Sequence, residues 1–141
     1  MKRDYGIFHV GLKVLLEKDS KFLFLKADNK INWDWPGGRI DNIEVATDLE
    51  KVLKREVYEE LGPKVKYKLG QPIIQFRRYS RSRDVYIFIT LYEAKYISGE
   101  IKLSHEHSDY EWVDPKKNKL NQKDFFNTEE YSKLKNYFKT L

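Results

Sequence analysis

The sequence predicts an α+β fold in which a central mixed β-sheet lies between helices, an α/β/α sandwich. Three observations carry that expectation. Runs rich in branched and aromatic residues alternate with helical segments along the chain. The stretch around residues 48–61 has both a start and a stop signal for a helix. Val85 to Tyr92 is an almost unbroken apolar run, as expected of a strand covered on both faces. A chain of 141 residues that is 40% hydrophobic suits a single core, so one domain spanning residues 1–141 is expected.

Val10 to Leu16 and Phe22 to Leu25 read as two strands joined by a turn at Lys18-Asp19-Ser20. Asp28 to Asn32 is a polar loop. A helix from Asp48 to Leu61 follows, with Thr47 as N-cap and Glu50 three residues later forming a capping box, and with Gly62-Pro63 ending it. Its apolar positions Leu49, Val52, Leu53, Val57 and Leu61 recur at helical spacing and predict one buried stripe. Val65 to Leu69 and Ile73 to Tyr79 read as two further strands, and Val85 to Tyr92 as the central one. A last amphipathic helix begins near Thr128 and carries Tyr131, Leu134, Tyr137 and Phe138 on the face that packs over the sheet.

The end of the first helix is electrostatically costly. Glu56 stands three residues before Glu59 and four before Glu60, so like charges stack on one face at about 0.2–0.5 kcal/mol per pair. They also occupy the last turn, where the helix dipole disfavours anions. A bound cation reverses both penalties. Glu56 follows Leu49 by seven and Val52 by four, at the edge of the inward face, which is not where a solvated charge run belongs. The competing reading is an acidic surface turn with Arg55 pairing Glu59.

Gly38, Glu44, then Arg55-Glu56-Val57-Tyr58-Glu59-Glu60-Leu61-Gly62 resemble the signature of the Nudix hydrolases, and the second half is highly specific. Trp33-Asp34-Trp35-Pro36-Gly37-Gly38-Arg39 is similar to the family's entry to that signature, and His105-Glu106-His107 through Trp112-Val113 to its later Glu-His segment. The resemblance spans Ile7 to Val113 and implies the Nudix α/β/α sandwich and hydrolysis of a pyrophosphate bond in a nucleoside diphosphate linked to another moiety. It implies Glu56, Glu59, Glu60 and the Gly38 carbonyl as ligands of Mg²⁺, with Mn²⁺ as the alternative, and Glu59, Arg55 and Glu106 in catalysis. Which group takes the proton is left open between the helix carboxylates and Glu106. Two departures stand out. Ten residues, rather than the family's seven, separate Glu44 from Arg55, so that ion pair requires the loop to fold back, and Pro63 replaces the closing aliphatic residue.

Oxygen ligands suit Mg²⁺, which screens phosphate charge and acidifies the attacking water. His105, His107 and Asp109 are the alternative of a transition-metal cluster, at weak spacing. Pro36-Gly37-Gly38 lacks the Gly-Lys-Ser/Thr ending of a phosphate loop and reads as a tight turn. The net charge of +5 favours anionic ligands, and Arg77, Arg78, Tyr79 and Arg83 are the expected substrate-binding residues. Tyr79 lies near the position of a tyrosine in diadenosine polyphosphate hydrolases of the resembled family, so nucleoside or dinucleoside polyphosphates are the favoured substrates. The alternatives are an RNA 5′-pyrophosphohydrolase and a non-catalytic nucleic-acid-binding module using the same basic surface. Trp33 and Trp35 are expected to pack in the core before they stack on a base. With no cysteine, disulfides and thiolate chemistry are excluded. A cytoplasmic protein is expected, because His9 and Lys13 interrupt the first apolar run and no cleavage site follows it. No segment is long enough to span a bilayer, and the oligomeric state is open.

Overall fold

The computed structural model describes residues 1–141. Its strands are β1 (Phe8–Lys18), β2 (Lys21–Lys26), β3 (Trp33–Asp34), β4 (Gly37–Arg39), β5 (Lys66–Ser80), β6 (Val85–Ser98) and β7 (Tyr110–Val113), and its helices α1 (Leu49–Leu61) and α2 (Thr128–Lys139). They form one mixed sheet of order β3-β2-β1-β6-β5, with β4 beside β1 and β7 beside β2. β1 and β6 run parallel from Phe8 opposite Tyr86 to Glu17 opposite Lys95, and the other pairs are antiparallel. No helix is long and apolar enough to cross a membrane.

Alternation along the strands divides the core between the two helices. One layer places Leu15, Phe24, Trp35, Phe76, Ile89 and Leu91 under Leu134 of α2, while Tyr131, Tyr137 and Phe138 pack at its margin. The other places Leu12, Val14, Leu16, Leu23 and Leu25 against Val52, Leu53, Val57 and Leu61 of α1. Both tryptophans named as possible base platforms lie in the first layer, Trp35 fully buried and Trp33 edge-on to Phe24. The Trp35 indole N–H is buried without a partner, a cost of about 1–3 kcal/mol.

Several sequence expectations are corrected. The N-cap of α1 is Asp48, not Thr47: its carboxylate accepts from the N–H groups of Glu50 and Lys51. A capping box does occur, but at the preceding 3₁₀ turn, between Asp41 and Glu44. Leu49 falls outside the buried stripe, whereas Glu60 falls inside it. The two strands expected at 65–79 are one, because β5 continues through Gly70-Gln71-Pro72 with a local shift of register. Pro72 is tolerated there because β5 is an edge strand that needs no ladder donor at that residue. β6 is interior as expected, yet Tyr86 and Phe88 on one of its faces are exposed. The short β3, β4 and β7 carry too few residues to show a period.

One polar network ties these layers together. Asp34 receives Lys13 of β1 and Arg78 of β5, each at 3.2 Å, and faces His107 Nε2 at 3.3 Å. Arg78 also pairs with Glu130 of α2 at 2.7 Å, and His107 Nδ1 lies 2.8 Å from Glu60 of α1. Every buried ionisable side chain belongs to this network, which sets three cations against three carboxylates. Burial raises the Asp34 carboxyl, but Lys13, Arg78 and His107 outweigh it and hold the group well below its ordinary value.

The native pKa of Asp34 thus lies below the unfolded value of about 3.9, so its stabilisation is complete above that pH and is lost as the pH falls through the native value. Asp34→Asn is expected to cost about 3–5 kcal/mol at neutral pH. Its urea stability is expected to vary less than wild type between pH 5 and pH 2, as followed by circular dichroism.

Candidate active site

Glu56 and Glu60 line one wall of a cavity of about 530 Å³, together with Gly37, Gly38 and Arg39 of β4. Gly11, Lys13, Arg78, Ile87 and Ile89 form its floor on the sheet, and Ala27, Asp28, Glu106, His107 and Phe126 supply the rim. The turn before β4 works because Gly37 has φ +144, and a Cβ there would lie 2.1 Å from the Leu12 carbonyl oxygen. Gly38 has a different reason to be glycine. A Cβ on it would lie 2.2 Å from Glu56 Oε2, so the missing side chain is what admits the carboxylate.

Arg55 fixes the acidic end of α1. Its Nε and Nη2 donate to the two oxygens of Glu44 at 2.8 and 2.6 Å. Nη2 also reaches Glu56 at 2.8 Å, and Nη1 reaches both oxygens of Glu59 at 3.1 Å. The Glu44–Arg55 pair therefore forms across the longer spacer, which folds back through the 3₁₀ turn Asn42–Glu44 and a Thr47 N–H bond to the Glu44 carbonyl. The hydrogen bonds it donates to Glu44 raise the Arg55 guanidinium above its ordinary value. Burial raises the Glu56 carboxyl, with Glu59 and Glu44 adding to it against the pull of Arg55. For Glu60, burial is outweighed by His107 and Ser104, and its carboxyl is lowered. Burial also opposes charge on His107, yet Asp34 and Glu60 raise it to about 9.

The other expected site residues divide. Glu106 reaches the cavity, and neither it nor Asp28 is in an ion pair, unlike the other carboxylates there. Glu59 is more than half exposed, does not line the cavity and is occupied by Arg55. Of the expected substrate-binding group only Arg78 lines the cavity, and its charge is taken by Asp34 and Glu130. Alternation along β5 turns Arg77 and Tyr79 to the opposite face, where Arg77 pairs with Glu129 and the Tyr79 hydroxyl donates to Asp84. Arg83 sits in the β5–β6 turn, away from the cavity. His105, His107 and Asp109 do not gather as a metal cluster.

Sequence reasoning missed Lys13, Arg39 and Phe126. Lys13 was visible as a charge within an apolar run, and Arg39 as the residue after the Gly-Gly turn. Arg39 is the one cation of the cavity with no carboxylate partner; its Nη1 meets His9 Nδ1 at 3.2 Å. Phe126 had no local signal. Its ring is partly exposed at the rim, with the Arg78 guanidinium 4.0 Å from its centroid.

The sequence profile described as NUDIX domain matches residues 8–134. The chain belongs to the NUDIX family. It is therefore a Nudix hydrolase, acting on phosphoric anhydride bonds. A relative from Escherichia coli O1:K1 / APEC, nucleoside triphosphatase NudI, is 27% identical over 113 residues, covering 72% of this chain and 78% of its own. The MutT protein of Methanosarcina mazei Go1 has the same fold at TM-score 0.68 and 21% identity, over 98% of this chain and 95% of that one. A UDP-X diphosphatase does so at TM-score 0.68 and 15% identity, over 98% of this chain but 66% of its own longer one.

Nudix hydrolases generally use divalent metal ions. The donor chemistry here fits one: Glu56 and Glu60 offer hard oxygens to the cavity beside the side-chain-free Gly38. No three carboxylates or histidines already stand as a closed cage, since Arg55 and His107 hold the oxygens instead.

Arg55→Lys tests the anchoring role, because an ammonium cannot reproduce the fork that spans three carboxylates. The expected result is a 10- to 100-fold loss of turnover with a melting temperature within a few degrees of wild type.

Proposed function

We propose that this Nudix hydrolase is a Mg²⁺-dependent pyrophosphohydrolase of nucleoside triphosphates, with Mn²⁺ able to substitute. The observation that supports it best is the cavity itself, whose lining combines Glu56 and Glu60, carboxylates for a metal, with the unpaired cation Arg39. The name of the E. coli relative, nucleoside triphosphatase, points the same way. The position of Tyr79 outside the cavity removes the reason for preferring a dinucleoside polyphosphate.

In this reading Glu56, Glu60 and the Gly38 carbonyl would hold the metal, and Glu59, engaged by Arg55 in the structure, would be the further carboxylate within that helix end. A divalent ion bound there would screen phosphate charge and acidify the attacking water. Glu106, the acidic rim residue of the later loop, takes the proton from that water, being free of any cation in the structure. Arg39 receives the phosphate oxygens with its unpaired guanidinium, while Lys13 on the floor remains paired with Asp34. Phe126 offers its ring to the base. Arg55 is a positioning residue that keeps Glu56 aimed at the cavity.

A panel of nucleoside triphosphates, dinucleoside polyphosphates, ADP-ribose and 5′-triphosphorylated RNA, with products identified, tests the substrate class. Nucleoside triphosphates are expected to give the highest kcat/KM, and excess EDTA to abolish turnover. Undiminished turnover in EDTA, or a higher kcat/KM for dinucleoside polyphosphates, ADP-ribose or 5′-triphosphorylated RNA, would refute the assignment. Glu56→Gln and Glu106→Gln are each expected to lower kcat by about 10²- to 10⁴-fold with the fold retained. Phe126→Ala is expected to act on KM, raising it roughly tenfold at unchanged kcat.

A further inference from the structure

The arginines and tyrosine that the sequence marked for substrate lie on a second surface. At one end of the sheet, on the face opposite the cavity floor, the strand registers lay out two rows of side chains. Phe8, Tyr86 and Tyr79 stand side by side across β1, β6 and β5, and Val10, Phe88 and Arg77 form the next row. All are exposed: Phe8 by 40%, Tyr86 by 53%, Tyr79 by 45%, Val10 by 41% and Phe88 by 36%. Four aromatic rings on one open sheet face is an unusual amount of apolar surface to leave in water. The rings contact one another in pairs, Phe8 edge-on to Phe88 at 6.0 Å and Tyr79 tilted on Tyr86 at 5.2 Å.

Cations rim this face. Arg81 and Arg83 project from the β5–β6 turn with no ion-pair partner, and Lys2 and Arg3 precede β1. Of the nearby acids, Glu129 pairs with Arg77, Asp84 accepts from the Tyr79 hydroxyl, and Asp4 follows Lys2 and Arg3 without an ion pair, so the cations of the rim outnumber the free acids. The charge decides between occupants. A second copy of the chain meeting this face across a two-fold axis would set one arginine rim against the other. A polyanion with flat, stackable groups matches both features at once.

We propose that this aromatic face, separate from the hydrolytic cavity, binds single-stranded nucleic acid, with bases stacking on Phe8, Tyr86, Phe88 and Tyr79 and phosphates meeting Arg81 and Arg83. The inference does not depend on which nucleotide the cavity hydrolyses. Its test is fluorescence anisotropy with a labelled 12-nucleotide RNA bearing a 5′-hydroxyl, in EDTA, so that neither a terminal polyphosphate nor a metal draws it into the cavity. Wild type is expected to bind, to bind the corresponding duplex more weakly, and to lose affinity steadily with salt. Tyr86→Ala is expected to weaken binding roughly 5- to 150-fold, and Arg81→Glu to weaken it while flattening the salt dependence. Both are expected to keep wild-type nucleotide hydrolysis, and Arg81→Glu carries the test alone if Tyr86→Ala does not fold. Absence of wild-type binding overturns the proposal, as do variants that bind like wild type. So does sedimentation showing a dimer that Tyr86→Ala converts to monomer, since the face would then belong to a second copy.

Discussion

Asp34 carries an interaction that the rest of the molecule is arranged around. A carboxylate in the interior is tolerable only when cations and donors replace the water it has lost, and here they arrive from three directions. Lys13 comes from β1, Arg78 from the edge strand β5, and His107 from the loop before β7. Each of those cations is compensated in turn, Arg78 by Glu130 and His107 by Glu60, while Lys13 also donates to the Trp35 carbonyl. The chain of partners therefore runs from α2 through the sheet to α1. Removing any member leaves an opposite charge buried and unmatched, so the network fixes the relative positions of both helices more stringently than apolar contact alone.

That constraint reaches the cavity through Glu60. Its carboxylate is held by His107 and Ser104, and Glu56 one turn earlier is held by Arg55. The like-charge stacking that makes this helix end costly is thus offset within the protein, by a guanidinium on one side and an imidazolium on the other. Burial of Glu130 shows the limit of such offsetting. Its carboxyl is raised by desolvation even with Arg78 in contact, while the Arg78 guanidinium is held charged by Asp34 and Glu130 together.

What the sequence made legible followed from periodicity and local chemistry. The helix 49–61, the β1–β2 hairpin, the β6 run and the last helix each span enough residues to show a period, and the acidic cluster stood out because it violated helix electrostatics. The anchoring of Arg55 by Glu44 was not legible, because it depends on how a spacer of ten residues folds back. Arg77 to Arg83 looked like one cluster, but neighbours along a strand point to opposite faces, so Arg78 went to the cavity and Arg77 and Tyr79 away from it. Phe126 and His107 acquire their surroundings only when distant elements meet, and no spacing rule reaches that far.

The division of labour between the two faces has a geometric origin. A helix of 13 residues such as α1 is about 20 Å long, whereas a strand of 14 residues such as β6 extends about 46 Å. One short helix per face cannot cover such a sheet, so an end must remain open on both sides. On the α2 side the open end is recessed beneath β4, the Glu106 loop and Phe126, and becomes the cavity floored by Gly11, Ile87 and Ile89. On the α1 side Phe8, Val10, Tyr86 and Phe88 are left exposed, with Phe8 and Tyr86 bordering a shallow groove shared with Arg77 and residues 127–129. The cavity and the aromatic face are thus two consequences of one mismatch in length, back to back across the same strands. The alternation of β6 assigns the branched Ile87 and Ile89 to the cavity side and the aromatic Tyr86 and Phe88 to the open side.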